Sequence, residues 1–123
     1  MPHRSGHINI DVAKRLTAAY GDQAPLVTAI AEKQLLSRRL VPWHDIIEAE
    51  VVYAARHELC RSAADFLARR SRLAFLDVAA ARAALPRVVQ LLGDELGWGT
   101  WSGRRRRELA SAEAFLRTFE ATG

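Results

Sequence analysis

Residues 46–60 read Ile-Ile-Glu-Ala-Glu-Val-Val-Tyr-Ala-Ala-Arg-His-Glu-Leu-Cys. Ile47, Val51, Ala54 or Ala55 and Leu59 recur at near three-and-four spacing, the period that lines apolar side chains along one side of an α-helix. Glu48, Glu58 and Arg61 fall on other faces. The segment therefore reads as an amphipathic, central helix from about Ile46 to Cys60, with Asp45 as its cap.

Outward from that helix, no segment shows sustained period-two alternation or the β-branched runs that strands favour. The predicted fold class is all-α, a single compact helical domain of about five to seven helices. Asn9 suits the cap of a first helix running to about Tyr20, with Ile10, Val12, Ala13, Leu16 and Tyr20 apolar, and Gly21 suits its left-handed end. Asp22 is placed to cap a second helix, Gln23 to about Lys33. Gln34 to Asp45, with Ser37, Arg38, Arg39 and Pro42, reads as a connection that Trp43 anchors against the core. Beyond the central helix, Ser62 with Asp65 at the third position forms a variant capping box, and Phe66, Leu67, Leu73, Phe75 and Leu76 supply the next apolar surface. Asp77 opens a turn and Val78 to Ala84 favours helix. Pro86 fits best as the first residue of a new helix to Leu96, because an interior proline costs roughly 3 kcal/mol or more. Gly97 ends that helix, Trp98 to Gly103 is a link, and Arg104 to Ala121 forms a last helix with Leu109, Ala112, Leu116 and Phe119 as its inner stripe.

A chain of 123 residues, half of them apolar, has the size of one domain. Residues 1–10 are expected to be a flexible tail and residues 11–123 the helical domain. No apolar run approaches the roughly 18 residues that span a bilayer, and the first residues lack the apolar core of a signal peptide. The expectation is a soluble segment in a cytosol-like compartment, with no membrane insertion of its own. Cys60 has no cysteine partner and reads as a buried small hydrophobe.

The net charge is +4, but its distribution decides what it means. Residues 1–43 hold six Lys/Arg and three acids, and residues 102–123 hold five and three. Between them, residues 44–76 are balanced at five and five, and residues 77–101 carry two basic and three acidic side chains. The strong cluster, Arg104 to Arg107, spans four consecutive positions and would fan around a helix instead of lining one groove-facing stripe. A solvated helix start or a partner-facing patch is favoured there over nucleic acid.

Catalytic patterns fail one at a time. Gly97-Trp-Gly99-Thr-Trp-Ser-Gly103 is one residue too long for a dinucleotide fingerprint and follows a helix, not a strand. Neither Lys14 nor Lys33 follows a glycine, so no Walker loop exists. His57 has no histidine or cysteine at i+4, and a helix-surface role, stacking near Tyr53 or pairing with a carboxylate, is favoured for it. His3 and His7 fall in the expected tail, and no serine nucleophile motif occurs. The expectation is no catalytic, cofactor-binding or metal residue in this chain. What remains is a dense charged block: Glu48, Glu50, Arg56, Glu58, Arg61, Asp65, Arg69, Arg70 and Arg72. Opposed helices could pair these in a structural ion network, or Arg69, Arg70 and Arg72 could project outward to dock another domain.

Glu-Ala-Glu-Val-Val-Tyr-Ala-Ala-Arg-His-Glu (48–58), Asp65 with Leu-Ala-Arg-Arg-Ser-Arg-Leu-Ala-Phe-Leu (67–76), and Leu-Pro-Arg-Val-Val (85–89) with Glu-Leu-Gly-Trp (95–98) resemble the C-terminal helical domain of FAD-dependent glycerol-3-phosphate dehydrogenases and related glycerophosphate oxidases. Leu16 to Asp22 resembles the helix-turn that opens this domain and Glu113 to Phe119 its last helix, so the resemblance covers nearly the whole chain from about Asp11. Ser71 stands where the family usually has threonine, and Pro42-Trp43-His44 departs from the usual approach to Glu-Ala-Glu.

The resemblance implies a part of an enzyme. In the family, hydride passes from C2 of glycerol 3-phosphate to the flavin, giving dihydroxyacetone phosphate, and electrons leave to a membrane quinone or to oxygen. It implies FAD in the full-length parent, bound by a flavin-binding domain that this chain lacks, and a parent peripheral at the membrane. The chain would cap and stabilise that domain, or offer a surface to another subunit, a further copy of itself included. Glu48, Glu50, Arg69, Arg70 and Arg72 are its family-signature residues, with structural or docking roles. The alternatives are a small basic nucleic-acid-binding module or a freestanding protein-interaction module on the same fold. Spacing leaves open whether the Arg-Arg-Ser-Arg run turns inward to Glu48 and Glu50 or outward.

Overall fold

A computed structural model of the protein describes residues 8–100 and 102–122, so His3 and His7 lie outside the described residues. Helix α1 spans Ile10–Tyr20 and α2 spans Ala24–Gln34, joined by one 3-10 turn over Gly21–Gln23. The Asn9 side chain accepts a hydrogen bond from Val12 N at 2.9 Å, and Gly21, at φ 55°, ends α1. Asp22 does not cap α2. The 3-10 turn already delivers the chain in a right-handed conformation, and Gln23 holds the cap position without a side-chain bond.

The connection to the central helix is more ordered than its composition suggests. Leu40 N donates to Ile46 O and Glu48 N to Arg38 O, each at 2.9 Å, pinning Arg39 opposite Ile47 in an isolated antiparallel bridge. Val41 and Ile47 are the buried anchors, whereas Trp43 is 57% exposed and does not reach the core. Its indole donates outward, to Asp77 at 3.0 Å. Because that bridge occupies the backbone before residue 49, α3 runs only Ala49–His57. Asp45 pairs with Arg39 at 3.0 Å instead of capping, and the Glu50 carboxylate takes over by accepting from Ile47 N at 2.7 Å.

Helix α3 is not amphipathic in the expected way, since every residue from Ala49 to Ala55 is buried. It is enclosed by α2 and by α6 (Val78–Leu96), and alanines on several of its faces admit both neighbours. Leu59, beyond the helix end, turns left-handed at φ 57° and is 74% exposed, so it leaves the predicted stripe.

The next segment breaks where one helix was expected. Helix α4 is the single turn Ala63–Asp65, with the Ser62 hydroxyl accepting from Asp65 N at 3.0 Å as the capping pattern predicts. It widens into a π-helical turn over Phe66–Arg70, closed by Ser71 N to Phe66 O at 2.8 Å. Arg72 then reverses the chain at φ 62°, and α5 is Leu73–Leu76. This reversal keeps Phe66, Leu67, Leu73 and Ala74 buried but turns Phe75 and Leu76 outward, the latter 70% exposed.

Helix α6 is capped by Asp77, whose carboxylate accepts from Ala80 N at 3.1 Å, and it runs through Pro86 without a break. The predicted restart fails because burial on both sides of the proline, by Ala81, Ala84, Leu85, Val88, Val89 and Leu92, outweighs one missing hydrogen bond. Helix α7, Arg104–Thr122, lies against α6 with Ala112 and Leu116 fully buried and Leu109 and Phe119 partly so. Glu108 reaches back from α7 to accept from Ala63 N at 2.8 Å, fastening the start of α4. The buried side chains of all these elements form one contiguous cluster.

Replacing Pro86 by alanine restores a backbone donor and removes the ring's clash with the preceding turn. Pro86→Ala should raise stability by about 1 kcal/mol or more, read as a higher midpoint in urea with an unchanged slope.

Candidate functional site

Glu48 and Glu50 sit at i and i+2, which sends their carboxylates to different sides of the α3 start. Both are nearly fully buried. Glu48 turns to α6 and takes a bidentate pair from Arg87, at 2.8 and 3.0 Å, with Gln90 holding the same guanidinium at 2.8 Å. Hydrogen bonding to Glu48 pushes the Arg87 pKa up. Glu50 turns to α1, where it pairs with Arg15 and accepts from Tyr20 Oη at 2.7 Å. Burial first, and then the Glu50 charge, raise the Tyr20 pKa, so the phenol stays a donor.

The signature arginines therefore do not turn inward to these two carboxylates. Arg70 donates to Glu58 O at 2.8 Å and faces Asp65 at 3.6 Å, while Arg69, with its side chain 80% exposed, meets only Asp65, also at 3.6 Å. The exposed Arg72 guanidinium has no hydrogen-bond or ion-pair partner among the described residues. Together with Arg15, Tyr20, Glu50, Glu58 and Leu76 they line a groove of about 360 Å³ in which arginines outnumber carboxylates. Glu48 lies elsewhere, against α6. Among the five signature positions the structure thus gathers Glu50, Arg69, Arg70 and Arg72 around one groove and separates Glu48 from them.

Arg15, Tyr20 and Arg87 carry the site without standing out in the sequence, because they lie 30 to 39 residues from their partners. A further cluster escaped sequence reasoning: Asp77 bonds His44 Nε2 at 3.0 Å and accepts from Trp43 and from Ala80 N. The bond to His44 first, then those two donors, holds the Asp77 carboxyl down at about 2. His57 stacks on Tyr53 with ring centroids 4.9 Å apart. Cys60 is fully buried, and burial pushes its thiol up to about 12.

The arginine cluster at the start of α7 does fan out. Arg104 lies over the Trp98 ring at 4.8 Å, and Arg105 donates to Trp98 O, Gln90 O and Asp94. Arg106 and Arg107 face solvent. The glycine-rich segment after α6 begins with Gly97 as a left-handed helix end, and a Cβ on Gly93 would stand 2.6 Å from the Arg105 guanidinium. Among the described residues no three His, Cys, Asp or Glu side chains group as metal ligands, and no helix is long and apolar enough to cross a membrane.

These features define an all-α domain framed by two buried glutamate–arginine pairs, with a basic groove on its surface. A family profile described as the C-terminal domain of alpha-glycerophosphate oxidase matches residues 3–102, and the chain belongs to that family. It is 47% identical to the mitochondrial glycerol-3-phosphate dehydrogenase of Arabidopsis thaliana over 117 residues, 95% of this chain and 18% of that protein. The mitochondrial glycerol-3-phosphate dehydrogenases of Homo sapiens and Bos taurus are 41% and 42% identical over 111 residues, 86% of this chain and 15% of each relative. The chain thus spans less than a fifth of the length of these relatives. No solved structure matches it.

Removing Arg15 would leave the Glu50 charge buried with only neutral donors. Arg15→Ala should cost about 3 kcal/mol in chemical denaturation, whereas Arg72→Ala should stay within about 0.5 kcal/mol.

Asp77 yields a pH prediction. Its folded pKa, about 2, lies below the ordinary 3.8, so its contribution is present above pH 3.8 and is lost as pH falls toward 2. Thermal midpoints should drop across that window, and Asp77→Asn should shrink the drop. An Asp77→Asn profile as steep as the parent's would contradict the assignment.

Proposed function

We propose that this chain is the accessory, C-terminal helical domain of an FAD-dependent glycerol-3-phosphate dehydrogenase, which caps and stabilises a separate flavin-binding domain. The observation that carries this reading is the footprint of the match: 95% of this chain aligns with only 18% of the plant relative. Oxidation of glycerol 3-phosphate to dihydroxyacetone phosphate then belongs to the larger remainder of such an enzyme. The residues present here do not fit FAD. Their glycine-rich stretch after α6 joins two helices, whereas a dinucleotide-binding turn follows a strand. FAD, when bound in the parent, supplies the hydride acceptor.

What this chain supplies is rigidity. Two buried ion pairs lock α3 to α1 and α6, and Arg56 on α3 meets Glu95 on α6 at 2.7 Å. The fold thereby holds a fixed surface instead of a reactive centre. Helical residues 11–123 are proposed to act as one unit, and the parent to work peripherally at a membrane surface.

The test is a fusion in which this chain replaces the aligned segment of the plant enzyme. It should bind FAD and oxidise glycerol 3-phosphate, while the isolated chain should show neither flavin absorbance nor turnover. A well-folded fusion without activity, or an isolated chain that retains FAD, would sink the reading.

A further inference from the structure

The surface around the Arg-Arg-Ser-Arg run combines three features. First, its charge is only partly spent: Arg70 is held by Glu58 and Asp65, Arg69 meets Asp65 at 3.6 Å, and Arg72 has no side-chain partner among the described residues. Second, a large apolar side chain stands out beside that charge: Leu76, 70% exposed, lines the groove, whereas Phe75 leans edge-on against Phe119 of α7. Third, the face is built at a conformational cost. Arg72 holds a left-handed φ of 62°, which a side chain bearing a Cβ adopts at about 1 kcal/mol or more. This reversal is what turns Phe75 and Leu76 away from the core.

An exposed apolar side chain flanking partly paired arginines suits an interface, where arginine is enriched. A basic groove calls for an acidic occupant. Resting on the accessory-domain reading above, we propose that the groove edged by Arg69, Arg70, Arg72 and Leu76 is the face that docks on the flavin-binding domain. The matching surface there carries a carboxylate for Arg72 and an apolar side chain for Leu76. The relatives support this occupant over a second copy, since more than four-fifths of their length lies outside the segment that this chain matches. The Arg72 backbone serves the fold, its carbonyl accepting from Phe75 N and Leu76 N, while its guanidinium is left for a partner.

The fusion with the plant enzyme tests it by hydrogen–deuterium exchange. Residues 69–76 should exchange at least about tenfold more slowly in the fusion than in the isolated chain, because docking removes their amides from solvent. Arg72→Glu and Leu76→Asp should each abolish that protection and split the fusion's single thermal transition into two. Arg72→Lys should keep most of it. Both disruptive variants should leave the isolated chain's thermal midpoint unchanged, separating loss of docking from loss of folding. If the unsubstituted fusion is inactive, the accessory-domain reading itself fails and takes this face with it. If it is active but residues 69–76 exchange as in the isolated chain, or if Arg106→Glu on the far side disrupts it while Arg72→Glu does not, only the face is overturned. Self-association of the isolated chain that Leu76→Asp abolishes, with the fusion unaffected, would give the groove to a second copy and likewise overturn the proposal.

Discussion

Two carboxylates, Glu48 and Glu50, enter the interior at the start of α3, and the rest of the structure is arranged so that neither is left uncompensated. An isolated ionised carboxylate in an apolar interior costs far more than the whole stability of a domain this size. Each must therefore meet a cation and hydrogen-bond donors in fixed geometry. Glu48 meets Arg87 on α6, and Glu50 meets Arg15, Tyr20 and the Ile47 amide. Because the cations come from opposite ends of the chain, satisfying both charges sets α1, α3 and α6 in one mutual register. Apolar packing alone tolerates small slides between helices, whereas a bidentate guanidinium–carboxylate pair does not. Such pairs add little net stability over a hydrophobic replacement, and their value here is geometric.

That register determines the surface. With α1 held against α3, Arg15, Tyr20 and Glu50 line a groove, and the π-helical turn after α4 brings Arg69, Arg70 and Arg72 to it. The widened turn and the left-handed Arg72 stop the apolar surface of the 63–76 segment from being buried in full. On a regular helix Leu76, three residues on, would share the face of Leu73. The actual path buries Leu73 and displays Leu76. The division of labour follows: the interior of this domain fixes shape, and one face retains the charge and apolar area that another domain can use.

The residue chemistry suits a partner role within a larger enzyme. Several reactive side chains are engaged in the fold. Asp77 is tied to His44, Trp43 and the first turn of α6, His57 is stacked on Tyr53, and the Cys60 thiol is buried with its pKa pushed up to about 12. The basic run at the start of α7 is likewise half spent, since Arg105 is committed to the carbonyls that end α6 and Arg104 to the Trp98 ring.

Much of this was legible in the residues themselves. Asn9, Gly21, Ser62 and Gly97 marked helix ends correctly because capping depends on side chains within four residues of the terminus. The helical period identified the all-α class for the same local reason. What misled were positions where distant packing outweighs local preference. Pro86 is carried through a helix by burial on both sides, Leu59 and Arg72 accept left-handed backbone without a glycine, and Trp43 trades the core for a bond to Asp77. The candidate site divides along the same line: the family resemblance singled out Glu48, Glu50, Arg69, Arg70 and Arg72. Only the tertiary structure decided that the glutamates pair with Arg15 and Arg87 while the arginine run faces outward. Ion-pair partners 35 and 39 residues apart leave no periodic trace, because their geometry exists only once three helices have packed.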